Sequence, residues 1–251
     1  MLLIVIMDET TIDLMVTPRN GFKALLCLFL TFNLLSCECE DPGPVQGTEK
    51  EFDIIDFDRL EIASALDVRV EQSNVYSIQV RGDRRNVDDL DVYKSGSTLI
   101  LKFDDNSNRN HETFITITMP HLEAANFSAA SSSKVNGFES DEELDLYLSG
   151  ASVCQVDAGY REVNVTLSGA SNLLMSGLGD EINAEISGAS MLVAFDYPVR
   201  EADVNVSGAS SGKVTVTDEL TAVAASASSI IYRGNPSVTT AISGGSAVIK
   251  D

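Results

Sequence analysis

The sequence predicts an all-β fold: a parallel β-helix-like solenoid of about 19–20 residues per coil, preceded by an irregular β part. Three observations carry this. Ser-Gly-Ala-Ser recurs at Ser149, Ser168, Ser187 and Ser207, with looser copies opening at Ser128, Ser226 and Ser243. The steps between these serines are 21, 19, 19, 20, 19 and 17 residues, the near-constant interval of one supersecondary unit per turn. Ahead of each full copy, apolar side chains stand five, three and one residues before the serine, as in Leu144, Leu146, Leu148 and Val163, Val165, Leu167. Period two means a strand with one face inward and one in water. A further apolar residue falls seven after each serine, at Val135, Val156, Met175, Ala194 and Val214, and predicts another inward strand past the corner.

Residues 1–36 have the layout of a lipoprotein-type signal peptide. An apolar run over 24–35 follows Arg19 and Lys23 and closes on Leu34-Leu35-Ser36-Cys37. The run is too short to cross a bilayer, which takes about 20 apolar residues. Its close resembles a bacterial lipobox, which implies lipid attachment at Cys37 and a membrane partner through that anchor. The stretch ahead of Met15 fits no signal n-region, so Met1 and Met15 are both candidate starts. Residues 37–50, with Glu38, Glu40, Asp41, Pro42 and Pro44, read as an extended, solvated tether. Its acidic start resembles the export signal of surface lipoproteins of the Bacteroidetes type. The expected location is the cell envelope, as an outer-membrane lipoprotein facing the periplasm or the exterior.

The folded part is expected over 51–251. Its first section reads as strands at 54–55, 60–62, 66–70, 76–80, 99–103 and 114–119, the last ended by Pro120. Loops are expected at 72–74, 82–86, 94–97 and 104–110, and no helix. This section should share the core of the solenoid and cap its first coil, because an open strand edge invites polymerisation. In the repeats, glycine supplies φ > 0 and small side chains let successive bends stack closely, while serine hydroxyls link one bend to the next. The expected corner ladder is Ser128, Ser149, Gly150, Ser168, Gly169, Ser187, Gly188, Ser207, Gly208, Ser226, Ser243 and Gly244.

Charge narrows the partners. Without residues 1–36 the chain holds 15 basic and 35 acidic residues, net −20, a surface that repels nucleic acid and anionic lipid head groups. Of four cysteines, Cys27 departs with the leader and Cys37 carries lipid, which leaves Cys39 in the tether and Cys154 in a coil. No disulfide is expected, and Cys154 reads as a small hydrophobe near the core.

Candidate chemistry is sparse. A column of serines is not a nucleophile, since catalysis needs one activated serine and a base, and His111 and His121 both lie outside the repeats. Arg81-Gly82-Asp83 has the spelling of an adhesion motif but reads as turn chemistry. Asp104, Asn106 and Asn108 have a partial calcium-loop spacing, yet Arg109 takes the glycine position and Ile115 the glutamate position, so the segment reads as a solvated hairpin loop. Asp88, Asp89 and Asp91 read as charged surface. No catalytic residue, metal or cofactor is assigned.

The order Phe57-x-x-Leu60-x-Ile62, the Val80-Arg81-Gly82-Asp83 turn, Thr98-Leu99-Ile100-Leu101, the Ile115-to-Pro120 segment and the serial Ser-Gly-Ala-Ser corners resembles the head GIN domain family of proposed auto-transporter adhesins over residues 53–251. That resemblance implies a right-handed, all-β helix-like domain exported by bacteria, and supplies no catalytic residues. The expected function is a non-catalytic binding or adhesion module at the envelope, with an extracellular glycan or protein as ligand. The alternatives are a polysaccharide-acting enzyme, which needs two carboxyls facing one bond, and a passive structural component of the envelope.

Overall fold

The computed structural model describes residues 43–104, 109 and 111–251. The leader, Cys37, Asn106 and Asn108 lie outside the described residues. The regular half is built of β9 (Ser132–Leu148), β10 (Val153–Leu167), β11 (Asn172–Ile186), β12 (Met191–Val206), β13 (Ser211–Ala224), β14 (Ser229–Arg233), β15 (Ser237–Ile242) and β16 (Ala247–Lys250). Each long strand pairs in parallel with the next, so Val163 stands over Leu144 and under Ile182, with Ala202 next and then Leu220 and Val238. This is the solenoid that the serine interval predicts. In one coil Cys154, Val156, Val163, Val165 and Leu167 all point inward and are buried. Burial of each such side chain stabilises by about 1.5–3 kcal/mol, but only once a neighbouring coil covers it.

The other half is β1 (Gly47–Glu51), β2 (Arg59–Ile62), β3 (Asp67–Gln72), β4 (Ser77–Asp83), α1 (Arg84–Asp89), β5 (Leu90–Ser95), β6 (Thr98–Phe103), β7 (Thr113–Met119) and β8 (Ala124–Phe127). Its spatial order is not its chain order. The coil of β2 and β3 lies between the coil of β6 and β7 on one side and that of β8 and β9 on the other, all in parallel. Beyond it the pairing turns antiparallel: β5 lies along β6, β4 along β7, and β1 along β4. These strands close that end of the sheet, as expected for a cap sharing the core.

Four local expectations are corrected. Residues 84–89 form a short helix, because the Asp83 side chain accepts from the Arg85 backbone N–H and caps it. Residues 54–55 are not a strand; Ile54 packs on the core from an irregular segment and Ile55 is exposed. Gly47–Glu51 forms β1 against β4, so the end of the stretch read as tether belongs to the sheet. The sixth corner is Ala225-Ser226-Ala227-Ser228: the Ala225 N–H donates to Val206 O, as the Ser207 N–H does to Ile186 O, so Ser226 stands in the glycine slot with φ 61°.

Candidate functional site

The corner comes first because it fixes everything else. In each repeat the last inward residue of one strand and the first of the next are six apart, as in Leu148 and Cys154, or Leu167 and Leu173. Gly150, Gly169, Gly188 and Gly208 lie at φ 74–78°. Their backbones stack through the Ala170 N–H to Gly150 O at 2.8 Å, Ala189 to Gly169 at 2.7 Å and Ala209 to Gly188 at 2.9 Å. The predicted first serines Ser128, Ser149, Ser168, Ser187 and Ser207 are only half-buried, and Ser243 is exposed beside Gly244. The buried column is the last serine of each copy: Ser131, Ser152, Ser171, Ser190, Ser210 and Ser228. The Ser171 N–H donates to Ser190 Oγ and the Ser190 N–H to Ser210 Oγ, both at 3.2 Å, while Ser152 Oγ and Ser171 Oγ donate to Ser149 O and Ser168 O. The signal for these residues was in the sequence, since every copy, full or loose, closes on serine.

The corners place three polar columns on the outer face of the strand halves that lead into them. Glu143, Glu162, Glu181, Glu201 and Glu219 stand in register, one per coil, and the column ends at Ser237. Beside it run Asp145, Asn164, Asn183 and Asp203, then Thr221 and Thr239. The third holds Tyr147, Thr166, Glu185 and Asn205. Stacked carboxylates repel, and the amides between them offset this by donating. Asn164 Nδ2 bonds Glu143 Oε1 and, at 3.1 Å, Asp145 Oδ1. Asn183 Nδ2 reaches Glu162 Oε1 at 3.3 Å, Glu181 Oε1 at 3.2 Å and Asn164 Oδ1 at 3.2 Å. A shallow groove of about 400 Å³ runs over Asn164, Thr166, Asn183, Glu185, Asp203 and Asn205. Neighbouring amides and carboxylates offer both donors and acceptors at a regular step, which suits hydroxyl-rich or polar ligands.

A second recess of about 590 Å³ lies at the opposite bend, over Glu139, Tyr160, Arg161, Leu178, Gly179 and Asp180. Tyr160 lines it and is held by the buried Tyr197: Tyr197 Oη donates to Tyr160 O at 3.2 Å, and Tyr160 Oη donates to Leu122 O at 2.8 Å. Burial pushes the Tyr197 phenol up to about 12 and raises that of Tyr160 further, so both stay protonated and serve as packing.

The Asp83 carboxylate is buried, accepting from the Gln46 N–H at 2.8 Å and from Arg85 Nε at 2.7 Å; these bonds hold it far below the usual carboxylate range. Arg81-Gly82-Asp83 therefore ends β4 and offers no free carboxylate. His111 Nε2 is buried without a hydrogen-bond partner, so it serves no serine as a base. A hydrogen bond with Asp104 holds the Asp91 carboxyl above its ordinary value, and Asp89 accepts from Arg109 at 3.1 Å. Cys154 is buried, and burial pushes its thiol up to about 12. Among the described residues, no group of three or more His, Cys, Asp or Glu is placed to hold a metal ion, and no helix is long and apolar enough to cross a membrane.

The chain is thus a parallel solenoid with a polar, groove-bearing face and an antiparallel cap. Residues 56–236 match the family described as "Putative auto-transporter adhesin, head GIN domain", and the chain belongs to it. Among solved structures it is similar to a "putative adhesin" from Parabacteroides distasonis, at 19% identity and TM-score 0.68, covering 83% of this chain and 98% of that one. It is likewise similar to a "putative adhesin" from Bacteroides fragilis, at 19% identity and TM-score 0.69, covering 82% and 96%. A third, a "putative lipid binding protein" from Parabacteroides distasonis, matches at 19% identity and TM-score 0.63, covering 82% and 96%. At such identities these likenesses establish the fold. No curated protein matches the chain.

Proposed function

We propose that the chain is an exported, lipid-anchored envelope protein that binds an extracellular glycan or protein through its amide–carboxylate face, without catalysis. The observation that carries this is the register of Asn164, Asn183 and Asp203 beside Thr166, Glu185 and Asn205 along one exposed groove. Such a face repeats its hydrogen-bonding groups at about the 4.8 Å strand spacing, and a ligand with a regular repeat of its own gains many weak contacts there. The adhesin family accords with a binding role at the cell surface. The lipobox ending at Cys37 and the acidic residues after it support anchoring in the outer membrane.

Glycan arrays and matrix-protein panels probed with the exported protein test the reading, with anionic and neutral lipid vesicles alongside. Binding to a glycan or protein that falls at least about tenfold in an Asn164→Ala, Asn183→Ala double variant is expected, since each amide supplies hydrogen bonds of about 1 kcal/mol. Absence of binding together with polysaccharide cleavage would replace it with the enzyme reading. Metabolic labelling with palmitate, lost in Cys37→Ala, checks the anchor.

A further inference from the structure

The two ends of the solenoid are finished differently. At the β1 end the outermost strands run antiparallel, and the edge strand β1 reads Gly-Thr-Glu-Lys-Glu, with charges that discourage further pairing. At the other end, among the described residues, β15 pairs only with β13, and β16 with β14. The outer edge of β15 reads Ser-Val-Thr-Thr-Ala-Ile, with no charge, no proline and every residue exposed. Val238 and Ile242 continue the inward columns of Leu220 and Ala224, yet they are 38% and 51% exposed where their predecessors are at 0%. The last rung of the core is thus open.

Charge selects the occupant. Five successive coils carry a glutamate at the start of this strand, and the sixth carries Ser237; the neighbouring Asp/Asn column likewise gives way to Thr221 and Thr239. From Ser229 onward the only charged residues are Arg233, Lys250 and Asp251. In a chain this acidic, the terminal coil is where another equally acidic chain approaches without setting carboxylate against carboxylate. The strand is also self-complementary. In an antiparallel pair centred on Thr240, Val238 of one copy faces Ile242 of the other, Thr240 faces Thr240, and all three lie on the core side. The charged, antiparallel β1 end cannot receive the same edge, so the contact closes after two copies.

We propose that two copies of this chain pair tail to tail through β15, joining their cores across a two-fold axis at Thr240. The exported full chain, examined by sedimentation over a wide concentration range, is expected to show a reversible monomer–dimer equilibrium and no larger species. Val238→Asp and Ile242→Asp, each confirmed folded by its thermal transition, should weaken the dimer at least about a hundredfold, since each would bury an unpaired carboxylate against the aliphatic side chain it faces on the other copy. Thr240→Cys should form a disulfide-linked dimer under mild oxidation, and this readout decides the matter if either aspartate variant fails to fold. A chain monomeric at every concentration, a dimer indifferent to both aspartates with no Thr240→Cys cross-link, or open-ended polymers would each overturn the pairing.

Discussion

Each coil has two ends, and they obey different rules. At the corner the flanking inward positions lie six apart from Ile62 and Val68 to Ile242 and Val248, except between β6 and β7, where Leu101 and Ile115 lie fourteen apart. At the opposite bend the corresponding gap runs from nine residues, Val135 to Leu144, down to six, Val214 to Leu220. All the irregularities of register in β10, β11 and β12 fall toward this bend, at Asp157 to Glu162, Leu174 to Ser176 and Ala194 to Glu201. The corner therefore sets the stacking, and the bend absorbs the differences in coil length. The physical reason is what each side puts between layers. The corner stacks backbone directly on backbone in layer after layer, whereas at the bend such contacts, Gly177 on Ala158 and Gly234 on Val216, are interspersed with side chains such as Tyr197 and Glu139 that adjust.

The sharpest break in this contrast is a substitution at a corner glycine. A Cβ on Gly169 would sit 2.5 Å from Gly150 O at φ +74°, so Gly169→Val should cost about 2–5 kcal/mol and lower the thermal midpoint by about 5–20 °C. Gly159, at the bend, is the matched control. Its added Cβ would meet only the end of the Glu139 side chain, which swings away, so Gly159→Ala should change stability by less than about 1 kcal/mol. Equal losses at both sites would erase the distinction. Next in size is Ser190→Ala, which removes the acceptor of the buried Ser171 N–H and should cost about 1–3 kcal/mol by denaturant titration. Smaller and of opposite sign is Ser226→Gly. It relieves a non-glycine residue at φ 61° and should stabilise by about 0.5–1 kcal/mol after the entropy of the unfolded chain is counted. No change at all is expected when native protein meets a maleimide at neutral pH, as far as Cys154 is concerned. Its thiol is buried and raised to about 12, so rapid labelling there would reveal that the corner side opens locally.

This asymmetry also explains what the residues disclosed. The corners were legible because their length is fixed and their composition small, and the strands because Leu144, Leu146 and Leu148 alternate without interruption. The slip at Ser226 arose where Ala225-Ser226-Ala227-Ser228-Ser229 offers two serine frames, and only the backbone bond from Ala225 to Val206 O distinguishes them. The bends share neither length nor residue type, so the packing of Tyr160 and Tyr197 had no pattern to follow. The interleaving of β2 and β3 between later strands was equally hidden, because Leu99-Ile100-Leu101 and Leu60-Glu61-Ile62 carry the same alternation whichever comes first in space. On the candidate face, the Glu and Asn positions were visible as the polar half of each strand. Their alignment into continuous columns depended on bend lengths that only the fold resolves.

A constant corner makes every turn an interchangeable part. Splicing Leu167 to Ser187 would excise 168–186 and leave the layers above and below in step, and repeating that span would add a layer just as smoothly. Reach from whatever surface bears the molecule thus becomes adjustable in increments of about 4.8 Å, a ruler that a lineage can lengthen or shorten without redesigning its interior.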